Sequence, residues 1–216
     1  MLETIKGNFF SYLFSQPEYM LQLYQVMHPE DTEAREEDFK QIIAQGNSLA
    51  VERCSDLGFQ VRDKLIILME AQSELSLDIP MRMLMRLADT YKDFVVENKV
   101  SLYREKPVSI PRPEFYVVYT GTEEAVPEVL SLGGPGSVEA EVKVLRTNGS
   151  GNILDQYIQF CEILKKQMSL HGKTDEALSN TLHICMEQGV LASFLNSHMG
   201  VVVVELMATL FGQQKS

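Results

Sequence analysis

Asp56 and Glu70 stand at the two ends of a stretch that reads as two β-strands joined by a charged turn at Arg62-Asp63-Lys64. The second strand begins as the apolar run Leu65-Ile66-Ile67-Leu68-Met69 and closes abruptly on Glu70-Ala71-Gln72. An apolar strand ending in an acid and an amide loses burial energy unless those groups find partners, and a metal ion is one such partner. Two converging carboxylates with an amide beside them suit a hard divalent cation. Mg²⁺ binds through one or two carboxylates and keeps water or substrate phosphate as its remaining ligands. Held so, it activates water and neutralises charge on a phosphodiester. An Asp and a Glu at strand ends also occur as plain surface carboxylates, so the pair alone is a weak signal.

Whether the two acids meet depends on the strands that carry them. Side chains alternate along a strand, which puts Glu70 and Gln72 on one face and Met69 and Ala71 on the other. On the preceding strand Asp56, Gly58 and Gln60 form a small or polar face, and Leu57, Phe59 and Val61 an apolar one. This alternation predicts one face on the core and one face open. An odd number of turn residues sets Asp56 opposite Glu70. A two-residue turn sets it opposite Met69 and points the carboxylates apart, since a one-residue slip flips every side chain.

The remaining pattern supplies a mixed α/β frame. Thr4 to Val26 is helical, with Pro17 opening a second helix. His28-Pro29-Glu30-Asp31 breaks it, and the acidic segment Glu33 to Ile43 reads as a solvated helix or a connection. Asn47 to Arg53 is a candidate first strand, and Ser73 to Asp78 a loop at the open end of the proposed site. A helix is predicted from Asp78-Ile79-Pro80 to about Asn98, with Arg82, Arg86, Asp89 and Asp93 as its polar stripe. That stripe serves either Arg–Asp pairing along the helix or, through Arg82 beside the Glu70 strand, a phosphate. Pro107 to Pro113 is an extended connection, Phe115 to Tyr119 a strand, Leu132 to Gly136 a loop and Val138 to Leu145 another strand. After Asn148-Gly149-Ser150-Gly151-Asn152 the chain turns helical: Ile153 to Met168, Asp175 to Met186 with Thr174 as cap, and Leu191 to Phe211. Gly189 and Gly200 are expected as helix terminators. The predicted division is a core over 1–150 and a helical C-terminal subdomain over 151–216.

Composition narrows the function classes. The chain has 216 residues, 45% hydrophobic and 23% charged, as an ordinary globular protein does. A net charge of −11 argues against broad electrostatic capture of nucleic acid, which needs Lys and Arg at the phosphates. Three cysteines (Cys54, Cys161 and Cys185) without a CxxC spacing fit core packing in a reducing compartment rather than disulfides or zinc. His183 lies among apolar helix neighbours and reads as a packed histidine, and the methionines, Met81, Met83 and Met85 included, as core filler. Gly133-Gly134-Pro135-Gly136 lacks the Lys-Ser/Thr ending of a phosphate-binding loop. The first residues show no signal peptide, and Val201 to Val204 is too short to span a bilayer. The expectation is a cytoplasmic protein with no membrane association.

The order of parts up to Glu70-Ala71-Gln72-Ser73 resembles the PD-(D/E)XK nuclease fold, a restriction-endonuclease-like mixed sheet flanked by helices. The closer resemblance is to the Rpn-type recombination-promoting nuclease and putative transposase family. It is carried by Cys54-Ser55-Asp56-Leu57-Gly58-Phe59, Leu65 to Ser73, Ile79-Pro80-Met81-Arg82-Met83-Leu84-Met85, Pro111 to Gly121 and Cys185 to Leu195, in order over most of the chain. The resemblance implies a Mg²⁺- or Mn²⁺-dependent endonuclease acting on DNA, with Asp56 and Glu70 as metal ligands and the Ala71 carbonyl as a further one. Gln72 stands where the wider superfamily usually has a lysine; it orients water by hydrogen bonds but supplies no charge. Gly7 and Ser11 fall about where the family often has an acid and a basic residue in its first helix.

Two functions follow as expectations. One is a Mg²⁺-dependent DNA endonuclease with Asp56, Glu70 and Gln72 catalytic and Ser73 and Arg82 facing substrate. The other is a catalytically weak nuclease-fold protein acting as an interaction module. Its helical tail, with Phe194, Leu195, Val201 to Val204 and Leu206 exposed, would mediate homo-oligomer formation or partner binding.

Overall fold

The structure, a computed structural model, describes residues 2–42, 56–62, 64–102, 109–133 and 138–212. Two helices open the chain, α1 (Leu2–Phe14) and α2 (Pro17–Met27), with Pro17 in the first turn of α2 as its missing N–H allows. A short 3₁₀ turn (Glu36–Asp38) leads into β1 (Phe39–Gln41), then β2 (Asp56–Val61) and β3 (Leu65–Gln72). Helix α3 (Ile79–Glu97) crosses to β4 (Arg112–Tyr119), and β5 (Val129–Leu132) and β6 (Ala140–Leu145) complete the strands. Three helices follow: α4 (Ile153–His171), α5 (Asp175–Gln188) and α6 (Ala192–Gly212).

The six strands form one mixed sheet in the order β1-β2-β3-β4-β6-β5. β2 runs antiparallel to both β1 and β3, β4 lies parallel to both β3 and β6, and β5 pairs antiparallel with β6. The β3–α3–β4 unit is the crossover that a parallel pair requires. The architecture is therefore mixed α/β, a six-stranded sheet flanked by helices.

Both faces of the sheet are covered. Leu57, Phe59 and Val61 of β2 and Ile67, Met69 and Ala71 of β3 join one large apolar cluster with α1, α2, α4, α5 and α6. Within it Phe9 stacks on Phe160, and the Tyr157 hydroxyl donates to the Lys6 carbonyl at 3.1 Å. On the opposite face Ile66, Leu68, Phe115, Val117 and Val142 pack against Ile79 and Met83 of α3. The face expected to be open is thus roofed by α3.

Several expectations change against the structure. The acidic segment Glu33 to Ile43 holds a 3₁₀ turn and the short edge strand β1, and Leu132 ends β5 instead of opening a loop. Gly200 lies inside an unbroken α6, while Gly189 does terminate α5 in the left-handed conformation. His183 is an exposed residue paired with Glu187, at 3.3 Å. Phe194, Leu195, Val202 and Leu206 are buried, so the tail exposes only part of what was expected, Val201 and Val204 among it. The candidate strand Asn47 to Arg53 and Cys54 lie outside the described residues.

α6 as a whole is long and apolar enough to cross a membrane by length and composition, which Val201 to Val204 alone was not. Its Val202, Leu206 and Leu210 pack in the main core, but only 28% of the apolar span is buried. Cys161 and Cys185 are free and buried, and burial pushes both thiols up to about 12, so neither is a nucleophile near neutral pH.

Candidate metal and phosphate site at the end of β3

The β2–β3 connection decides whether the acids converge. Three residues, 62 to 64, separate the strands, and Arg62 sits at φ 47°, the left-handed bend that closes the turn. The register that results pairs Val61 with Leu65, Phe59 with Ile67, Leu57 with Met69 and Asp56 with Glu70. Directly opposed residues of an antiparallel pair share a face. Positions 56 and 70 therefore lie side by side on the face covered by α3.

Arg62 also anchors the turn from outside. Its guanidinium donates to Asp38 at 2.9 Å and to Asp31 at 3.1 Å, tying the hairpin to the 3₁₀ turn and the segment that follows α2. Asp31 in turn accepts from the Tyr24 hydroxyl, whose pKa burial and this bond push up to about 12. The hairpin is thereby held by apolar burial along its strands and by a charged clasp at its turn.

Glu70 is 1% exposed, an acid set in an apolar strand. Its partner is Arg82 of α3, whose Nη2 donates to Oε1 at 2.5 Å. Removing one member of a buried ion pair costs about 3–5 kcal/mol, because the survivor is left uncompensated. One turn further along α3, Arg86 Nη1 donates to the Met69 carbonyl at 3.4 Å. Ile79 and Met83 seat α3 on the sheet, and the two arginines, four residues apart on one helical face, straddle the end of β3. Arg82 thus lies beside the strand that carries Glu70, as one of the two foreseen roles has it, and it bonds that acid.

The carbonyl of Gln72 accepts from the Thr120 amide at 2.8 Å on the β4 side. Carbonyl directions alternate along a strand, so that of Ala71 is turned toward the β2 side, beyond Asp56. Gln72 shares the Glu70 face and is partly exposed. Gly121 lies so close to this strand end that a Cβ there would overlap the Ser73 carbonyl and the Tyr119 hydroxyl.

A second acid and base reach the same end from α1. Glu3 accepts from the Ser73 amide at 3.3 Å and from Lys6 Nζ at 3.1 Å. Lys6 is 2% exposed, which is rare for a lysine without a partner. Gly7 and Ser11, the positions weighed from sequence, carry no charge, whereas Glu3 and Lys6 lie about one turn earlier on the same helix. The spacing Glu3-x-x-Lys6 on a helix was the available signal, since residues three apart are neighbours.

Positions 56 and 70, in cross-strand register, are both acids by sequence, and the Ala71 carbonyl lies beside them, so the residue types on offer are oxygen donors. They fit the preference of Mg²⁺ or Mn²⁺ for carboxylate, carbonyl and water ligands. Among the described residues no group of three or more His, Cys, Asp or Glu side chains gathers as a metal cage. A separate cavity of about 440 Å³ lies on the same face toward the other end of β2 and β3, lined by Lys40, Gln60, Ile66, Asp93 and Phe94 among others.

No protein-family model, curated protein or solved structure matches this chain.

Proposed function

We propose that the protein is a divalent-metal-dependent DNA endonuclease of the PD-(D/E)XK type, as its resemblance to the Rpn-type nuclease and transposase family implies. The observation that carries the reading is the register pairing Asp56 with Glu70 at the end of a buried strand. The element order supports it: helices, three antiparallel strands, a crossover helix and a parallel fourth strand. Asp56, Glu70 and the Ala71 carbonyl would hold Mg²⁺ or Mn²⁺, which when bound supplies Lewis acidity and an activated water. Gln72 orients that water through its amide, and Arg82 and Ser73 face the phosphodiester. The Glu3–Lys6 pair fixes the Ser73 amide and so the strand end on which Gln72 sits. The protein acts in the cytoplasm on DNA linked to recombination or mobile elements.

Nicking of supercoiled plasmid in the presence of Mg²⁺ is the direct test. The reading expects Asp56→Ala and Glu70→Ala each to reduce nicking by at least about 10²-fold. Cleavage unchanged in either variant would remove that residue from the site.

Two observations favour a second reading, that of an interaction module. α6 exposes Val201, Val204 and Phe211, and the net charge of −11 is unsuited to wrapping DNA. On this reading the chain self-associates through its C-terminal helices, and sedimentation of a stable dimer that neither binds Mg²⁺ nor nicks DNA decides for it.

A further inference from the structure

We propose that Arg82 couples phosphodiester binding to metal binding: it holds Glu70 until a substrate phosphate draws the guanidinium away, and the cation then takes its place. The inference rests on the metal-site reading above and adds an order of events to it.

The argument begins with burial. Glu70, at 1% exposure, needs a cation beside it in any state of the protein. In the structure that cation is the Arg82 guanidinium, bonded to Oε1. A divalent ion on the same carboxylate would stand beside the guanidinium, where Glu70 is buried and little water screens the repulsion. The two cations therefore compete for one acid.

Arg82 differs from Glu70 in having somewhere else to go. Its side chain is 26% exposed, against 1% for that of Glu70. It stands on the first turns of α3, just after the Ser73 to Asp78 loop, beside the strand end where substrate would lie. A guanidinium matches a phosphate through paired N–H donors, and it exchanges a carboxylate for a phosphodiester without losing its charge partner. Phosphate binding thus frees Glu70, and the cation that enters satisfies the acid Arg82 has left. By linkage each ligand strengthens the other to the same degree. Arg82 is a positioning residue on this account, and its effect is visible in metal affinity without any turnover.

Isothermal titration of the whole chain with Mn²⁺, with and without saturating dimethyl phosphate, tests the coupling. The account expects dimethyl phosphate to tighten Mn²⁺ binding to the wild type by about 5-fold or more. Arg82→Gln should bind Mn²⁺ about 10-fold more tightly than the wild type without phosphodiester, and should gain nothing from adding it. Equal Mn²⁺ affinity in wild type and Arg82→Gln overturns the coupling and leaves the metal site standing. Should Arg82→Gln fail to fold, the wild type decides alone: an affinity that dimethyl phosphate does not change overturns the proposal. Binding that survives Glu70→Gln, or no Mn²⁺ binding in any protein, removes the metal site and the coupling with it.

Discussion

At the scale of single residues, the site end of β3 is fixed by contacts that substitution can isolate. Gly121 has no room for a side chain against the Ser73 carbonyl and the Tyr119 hydroxyl. Gly121→Ala is expected to cost about 1–3 kcal/mol, read as a lowered denaturant midpoint. Lys6 and Glu3 should respond unequally. Lys6→Met replaces a buried charge by an apolar chain of similar length and is expected to be near neutral in stability. Glu3→Ala strands that charge and releases the Ser73 amide, at about 1–3 kcal/mol. Asp155 gives a pH signature. Burial raises its pKa, but hydrogen bonds from Thr147, Asn148, Gly151 and Ser150 outweigh it, and the net shift is downward. A depressed carboxylate stabilises the fold above its unfolded value and loses that contribution as pH falls through the folded one. Asp155→Asn should therefore flatten the loss of stability below about pH 4, as followed by circular dichroism in acid titration. A variant with the same acid limb as the wild type would contradict this.

At the scale of elements, what the sequence made legible was what periodicity and punctuation encode. α1, α2 and α4 showed their apolar spacing, and Pro17, Thr174 and Gly189 marked helix ends where the structure has them. β2 alternated as a strand and β3 stood out as an apolar run, but register was open until the turn length was known, because parity cannot be read from side-chain pattern alone. β1 and β5 escaped notice for a physical reason: at 3 and 4 residues they are too short to show a period of two. Gly200 misled because a glycine inside a helix resembles a terminator in sequence, whereas here α6 is carried through it by packing. Nothing lies within 4 Å of where its Cβ would be. Gly200→Ala should consequently stabilise the protein by about 0.5–1 kcal/mol, raising the thermal midpoint. The Arg82–Glu70 pair was legible only as an arginine near the right strand; its engagement with the acid depends on how α3 seats on the sheet, which is a tertiary fact. The same holds for Glu3 and Ser73, 70 residues apart.

At the scale of the molecule, the sheet carries two apolar faces and one charged end. The larger cluster joins α1, α2, α4, α5 and α6 to one face, and the smaller holds α3 to the other. Between these layers, at the end of β3, are Asp56, Glu70, Gln72, the Ala71 carbonyl, Arg82 and the Glu3–Lys6 pair. An overall charge of −11 repels nucleic acid at long range, so on the proposed reading binding would be driven locally by Arg82, Arg86 and a divalent ion. DNA affinity should therefore depend steeply on divalent cation and only weakly on monovalent salt, compared with a basic-groove binder. Fluorescence anisotropy of a labelled duplex across both titrations measures this. The central claim is that Asp56 and Glu70 share one cation, and anomalous scattering from Mn²⁺ in crystals grown with a short DNA duplex tests it most directly. The account predicts a peak between the two carboxylates and the Ala71 carbonyl, with Arg82 turned from Glu70 to a phosphate. A map with no peak there, and Arg82 still on Glu70 beside bound DNA, would contradict it.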